Sequence, residues 1–241
     1  KGKDENLFQD NINQILNSLK NRGPDFQDFW NNQEKNCFLL NTRLKIQDLQ
    51  DRANMPMQSE CKNFVITYNG ELYNKKFLIE KYLKDVKLKT NSDTEVILQL
   101  YINYGNKCLN LLDGMYSIAI YDLTNDQLFL ARDPLGIKPL YYTLSENYIF
   151  FSSSVKSFYF KNKLNKEALI DFFSLGFVRE PKTILENVES LEPGHFLLYK
   201  NNQLVKKNYF KLTNIFNNKN KEIDIEIEKS VMKHYTDEVS S

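Results

Sequence analysis

The chain has 241 residues, 41% hydrophobic and 13% aromatic, enough to bury a core in one large or two small domains and too apolar for a disordered polymer. Its 32 Lys and Arg against 31 Asp and Glu leave a formal net charge of +1, so no global electrostatic argument favours nucleic acid or an acidic membrane surface as partner. Apolar runs such as Met115 to Tyr121 and Tyr148 to Phe151 are strand-sized, far below the ~20 residues of a membrane span, and no signal-peptide pattern opens the chain.

The 3 cysteines, Cys37, Cys61 and Cys108, do not describe a disulfide framework, and a soluble protein of the reducing cytoplasm is the expectation. Burial as small apolar residues is their expected role. With only His195 and His234, and no Cys-x-x-Cys pair, a zinc site or a Cys/His dyad has almost nothing to be built from, so no metal is expected.

In chain order, Leu7, Phe8, Ile12, Ile15, Leu16 and Leu19 have helical spacing, and the helix must end at Gly23-Pro24. Extended runs follow at Cys37 to Leu44 and Phe64 to Tyr68, then helices at Lys75 to Leu83 and Asp93 to Tyr104. Further strands are predicted at Met115 to Tyr121, Gln127 to Ala131, Leu140 to Thr143 and Tyr148 to Phe151, then a helix from Asn165 to Leu175. A two-strand unit, His195 to Tyr199 and Leu204 to Tyr209, turns at Asn201-Asn202. Asn214 to Lys221 reads as a polar linker, and Ile223 to Tyr235 as a last helix. Strands and helices mix without regular alternation, which predicts an α+β sandwich with antiparallel sheets.

Four constellations can carry chemistry, and each also has a purely structural explanation. Asn69-Gly70 has the composition of a hairpin turn; equally, the Asn69 side-chain amide and the Gly70 N–H can converge as an oxyanion hole. Ser92-Asp93-Thr94-Glu95 is spaced as a helix capping box, which leaves Asp93 able to meet a ligand's ammonium group. Arg43 is a snorkelling surface arginine or a planar grip on a ligand carboxylate. The run Arg132-Asp133-Pro134-Leu135-Gly136-Ile137-Lys138-Pro139 reads as a rigid turn between strands.

The order of these motifs is far more specific than any one of them. Arg22-Gly23-Pro24-Asp25, Arg43-Leu44-Lys45-Ile46-Gln47-Asp48, Tyr68-Asn69-Gly70-Glu71-Leu72-Tyr73-Asn74, Ser92-Asp93-Thr94-Glu95, Leu112-Asp113-Gly114-Met115 and the Arg132 to Tyr142 run together resemble class II glutamine amidotransferases. Glu180-Pro181-Lys182-Thr183-Ile184 and Leu191-Glu192-Pro193-Gly194-His195 resemble the asparagine synthetase branch, which hydrolyses glutamine.

The resemblance implies an N-terminal nucleophile hydrolase fold, a four-layer αββα sandwich with two antiparallel sheets, here lacking the first strand. It implies a domain over residues 1–212, with 213–241 as a linker and the start of a truncated synthetase domain. Carried over by position, Arg43 holds the glutamine α-carboxylate, Glu71 and Asp93 its α-ammonium, and Asn69 with Gly70 the oxyanion. The family's nucleophile is a cysteine at the mature N-terminus whose own α-amine is the base.

This sequence begins Lys1-Gly2-Lys3-Asp4 and carries no such cysteine, so the expectation is a fragment that is inactive alone, or a product that lost its active centres. His234 is then expected on an exposed helix and His195 at a strand start. No cofactor is expected in this domain; ATP, magnesium and aspartate belong to the missing synthetase portion, and a homodimer is compatible. The competing expectations are a non-catalytic binding module, or an amidotransferase serving a sugar or envelope-component ligase.

Overall fold

The computed structural model describes residues 12–46, 48–158, 160–161, 163–211 and 223–233. Period-two alternation sorts its central strands onto two faces. On β4 (Phe64–Leu72), Ile66, Tyr68 and Leu72 point one way and Val65 the other. On β5 (Gly114–Asp122), Tyr116, Ile118 and Ile120 oppose Ala119 and Tyr121, and on β6 (Gln127–Arg132) Phe129 and Ala131 oppose Leu128 and Leu130.

The first face packs under α2 (Lys75–Tyr82) and α3 (Asp93–Tyr104) through Leu78, Val96, Ile97 and Leu100. Tyr101 of α3 meets Phe129 with ring centroids 4.8 Å apart, and Phe129 meets Phe196 at 5.7 Å. With β3 (Met57–Gln58), β10 (His195–Lys200) and β11 (Gln203–Asn208) the sheet has six strands in the order β11-β10-β6-β5-β4-β3.

The second face meets two smaller sheets. One pairs β1 (Phe26–Asn32) with β2 (Cys37–Arg43); the other has the order β8-β7-β9, from β7 (Tyr141–Leu144), β8 (Ile149–Ser152) and β9 (Glu189–Ser190). Leu39, Leu140, Tyr142 and Leu191 share a core with Val65, Ala119 and Leu130. The far side of the β1–β2 pair touches α1 (residues 12–19), where Thr42 Oγ1 donates to the Leu19 carbonyl at 3.2 Å. The strand pairings are antiparallel throughout.

The expected helices recur as α2, α3 and α4 (Lys166–Leu175), and Asn201-Asn202 does turn the β10–β11 hairpin, with φ of 50° and 58°. The differences have physical reasons. The described residues form three hydrogen-bonded sheets where two were expected, because the β1–β2 and β8-β7-β9 sets share a core without sharing a ladder. The strand β1 was not foreseen, since Asp28, Asn31 and Asn32 interrupt its apolar pattern; it is held by pairing with β2 and by Trp30 against Tyr121, at 5.9 Å.

Asn69-Gly70 is not a turn: both residues lie within β4, which stays paired with β5 to Leu72. The expectations at Leu7, Phe8, the Asn214 to Lys221 linker, His234 and Tyr235 lie outside the described residues. The last helix, α5 (Ile223–Lys233), reaches the domain through Lys233 Nζ, 2.8 Å from Asp113 Oδ2. No described helix is long and apolar enough to cross a membrane.

Candidate active site

Strand alternation places the candidate residues before any side-chain contact is considered. Leu39 on β2 points into the core between the sheets, so Asn41 and Arg43 do too; on β4, Val65 points into that core, and so do Thr67, Asn69 and Glu71. The space between the layers is apolar around Leu39, Val65, Ala119 and Leu130 and becomes polar toward Asn41, Arg43, Asn69 and Glu71. Arg43, Asn69 and Glu71 thus lie on facing walls of one interlayer space.

Arg43 is only 6% exposed, so it is not a snorkelling surface residue. Its Nη1 donates to Asn54 Oδ1 at 2.7 Å and its Nη2 to the Asp48 carbonyl at 2.6 Å. Burial lowers its pKa from the usual arginine value, against the opposing pull of Asp48, Asp51 and Asp25. Asp48, to which motif reading gave no role of its own, accepts the Asn91 N–H at 2.7 Å on its Oδ2 and so ties the Arg43 loop to the residues just before Asp93.

Ser92 caps α3 as expected, accepting the Glu95 N–H at 3.3 Å. Glu95 does not close the reciprocal half of the box. Its carboxylate takes the N–H groups of Lys89 and Thr90 and the Thr90 hydroxyl instead, pinning the preceding loop. Asp93, 5% exposed, accepts the Leu72 N–H on Oδ2 at 2.8 Å and has Lys75 Nζ 3.3 Å from Oδ1. Burial raises its pKa above the ordinary carboxylate value; Lys75 and the Leu72 N–H pull it back, and the nearby Glu71 charge raises it further. Glu71 and Asp93 are therefore neighbours.

The backbone of β4 supplies the second half of the site. β3 pairs only with Val65 and Ile66, so beyond them no strand among the described residues lies alongside β4 opposite β5. In an antiparallel ladder the N–H and C=O of alternate residues leave the strand on the same side. Phe64 uses its groups toward Ser59 and Leu72 toward Asp93, both away from β5, whereas the Tyr73 N–H turns to the Asp113 carbonyl. Gly70, in step with Phe64 and Leu72, therefore sends its N–H out along the same edge, about 7 Å from that of Leu72.

An added Cβ on Gly70 would sit 2.3 Å from the Met115 carbonyl oxygen and 2.9 Å from Tyr68 Cε2, so packing demands glycine here as firmly as a ligand's approach would. The Asn69 Nδ2 is buried with no hydrogen-bond partner among the described residues; the same holds for Asn41 Oδ1 and the Tyr68 hydroxyl. Motif reading attached no role to Asn41 or Tyr68. The period-two offset of Asn41 from Arg43 was the available signal.

The cysteines correct an expectation. Only Cys108 is buried; Cys37 is half-buried, and Cys61 is exposed in the turn before β4. Burial pushes the Cys37 and Cys108 thiols up to about 12, whereas hydrogen bonds from Ser59 and Asn63 lower the pKa of Cys61. Among the described residues no group of three or more His, Cys, Asp and Glu side chains could hold a metal ion.

The Arg132 run is structural. Arg132 donates to the carbonyls of Lys138, Gly136 and Leu191, to Ser190 Oγ and to Glu180 Oε1. Asp133, 1% exposed, accepts the N–H groups of Tyr116, Leu135, Ile137 and Lys138. Gly136, at φ 68°, lets the turn close against Pro193. His195 opens β10, its Nδ1 2.9 Å from the Pro193 carbonyl.

Comparison with known proteins gives this arrangement a context. The family described as a glutamine amidotransferase domain matches residues 2–210. A Methanocaldococcus jannaschii protein, provisionally named asparagine synthetase [glutamine-hydrolyzing] 2, is 33% identical over 215 residues, covering 80% of this chain and 41% of that protein. The Bacillus subtilis asparagine synthetase [glutamine-hydrolyzing] 1 is 34% identical over 205 residues, covering 83% and 32%. The chain thus spans less than half the length of these relatives. A solved B. subtilis glutamine phosphoribosylpyrophosphate amidotransferase overlaps 65% of the chain and 32% of its own at 20% identity, with a TM-score of 0.46. From the match across nearly its whole length, the chain belongs to the glutamine amidotransferase domain family and is related to the asparagine synthetases.

Proposed function

We propose that this chain is the glutamine-binding domain of a glutamine-dependent amide ligase of the asparagine synthetase kind. The observation that carries the reading is the buried Asn69 Nδ2, a donor without a partner among the described residues, beside a Gly70 N–H that leaves β4 on the edge away from β5. A free amino acid with a side-chain carboxamide spans roughly 5 Å from that carbon to its ammonium nitrogen, three C–C bonds and one C–N. This length suits donors at Asn69 and Gly70 and carboxylates at Glu71 and Asp93.

In this reading Asn69 and Gly70 would stabilise the negative charge that the amide oxygen gains when a cysteine sulfur of the family's kind adds to the amide carbon, and each such donor typically contributes ~10²–10³ in turnover. Arg43 holds the α-carboxylate, a contact for which guanidinium geometry is well matched. Glu71 and Asp93 receive the α-ammonium. Cys37, Cys61 and Cys108 each carry an acylated backbone nitrogen and cannot use a free α-amine as base. Ammonia release for ATP-dependent amidation of aspartate is proposed for the longer protein, with residues 1–212 as the amidotransferase domain and 213–241 as the linker and start of the next. We also read the sheets as the two inner layers of a four-layer sandwich, supported by α2 and α3 on one side and the Thr42 contact to α1 on the other.

Calorimetric titration with glutamine tests the reading. Binding is expected, weakened at least tenfold in Asn69→Leu and Asp93→Asn; no binding, or undiminished affinity in both variants, refutes it. A second reading is a domain that binds glutamine without hydrolysing it, and ammonia release on incubating this chain with glutamine would eliminate that alternative.

A further inference from the structure

Two of the buried atoms left without partners are chemically complementary. Asn41 Oδ1 is an acceptor on β2 and Asn69 Nδ2 a donor on β4, and both strands turn these residues into the same interlayer space. The register of β2 against β1 is unbroken from Cys37 to Arg43, and that of β4 against β5 from Phe64 to Leu72, so no bulge disturbs the alternation.

Two anchors align the walls. Leu39 and Val65 share the core at one end. At the other, Arg43 binds the Asp48 carbonyl while Asp48 holds Asn91, next to the Asp93 contact with Leu72. Asn41, midway between Leu39 and Arg43, therefore faces the stretch of β4 from Thr67 to Asn69.

We propose that Asn41 is a specificity-determining residue, accepting a hydrogen bond from the amide nitrogen of the ligand while Asn69 donates to its carbonyl oxygen. The assignment rests on the reading that a glutamine-like amino acid binds at Asn69. A carboxamide offers a donor and an acceptor on one planar group and satisfies both orphans at once. A carboxylate has no proton to give, so glutamate would set an oxygen against Asn41 Oδ1, and a site built to bond an N–H rejects the analogue that lacks it. A water molecule can bridge the same two atoms, but it confers no preference between the two amino acids.

The experiment measures glutamine and glutamate affinities by calorimetry for the wild-type chain, Asn41→Leu, Asn41→Ala and Asn69→Leu. The wild type is expected to prefer glutamine, with the ratio falling about tenfold in both Asn41 variants; because it is a ratio within one folded protein, a general loss of stability cancels. A wild-type ratio retained in the Asn41 variants, while Asn69→Leu weakens glutamine binding, overturns the Asn41 assignment alone. An Asn69→Leu variant that binds glutamine normally, or a wild type that binds neither amino acid, overturns the underlying reading and this one with it.

Discussion

The Arg132–Asp133 turn and the Asn69 corner are built from the same materials, buried polar side chains beside β5, and they are finished in opposite ways. In the turn, four backbone N–H groups converge on Asp133, and Arg132 spends its donors on five acceptors. At the corner, Asn69 Nδ2, Asn41 Oδ1 and the Tyr68 hydroxyl are buried with no partner among the described residues. A completed network rigidifies a fold, and an incomplete one costs stability that only an absent group can return. Both regions carry the dense motifs of a functional site, and they differ in how far their buried polar groups are paired.

The contrast predicts stability effects of opposite sign. Asp133→Ala strands the buried Tyr116 N–H and three part-buried N–H groups and is expected to cost about 3 kcal/mol, read as a lowered urea midpoint; a loss below about 1 kcal/mol would show that the turn is not the anchor described. Asn69→Leu removes an unpaired buried amide of similar volume. Its urea midpoint should match or exceed that of the wild type, by up to about 1 kcal/mol, even though glutamine binding fails, and a clear destabilisation would mean that Asn69 is bonded within the fold.

Asp171 supplies a smaller, pH-dependent comparison, an ion-paired carboxylate away from the corner. Arg179 donates to its Oδ1 at 2.6 Å, with Lys182 Nζ 3.1 Å from Oδ2, and these contacts hold its pKa at about 2. A carboxylate depressed in the folded state stabilises the fold above its unfolded pKa of about 3.9. That contribution is lost as the pH falls through the folded value. Thermal melts of Asp171→Asn between pH 4 and pH 2 should therefore fall less steeply than those of the wild type; parallel curves would remove Asp171 from the account.

Much of this was legible in the residues. The helix of α3 needed only Ser92 as cap and the spacing of its apolar face, and the β10–β11 hairpin needed only Asn201-Asn202, because caps and tight turns are local chemistry. Asn69-Gly70 shows the limit. Its composition suits a turn, yet nine residues of pairing with β5 keep it extended, since a ladder outweighs a local preference. Cys61 fails in the same way: a small apolar side chain is buried only if its strand is, and the chain turns outward there.

By itself the sequence determined which residue types were available, in what order, and which face of each strand they occupy, because alternation follows from the covalent geometry of an extended chain. Only the tertiary structure decided that β3 stops short of the Gly70 N–H, that β2 sets Asn41 and Arg43 across from Asn69 and Glu71, and that the Arg132 run is consumed by its own hydrogen bonds. Those outcomes depend on which distant segments meet. That is settled by the summed burial of two cores rather than by any local preference.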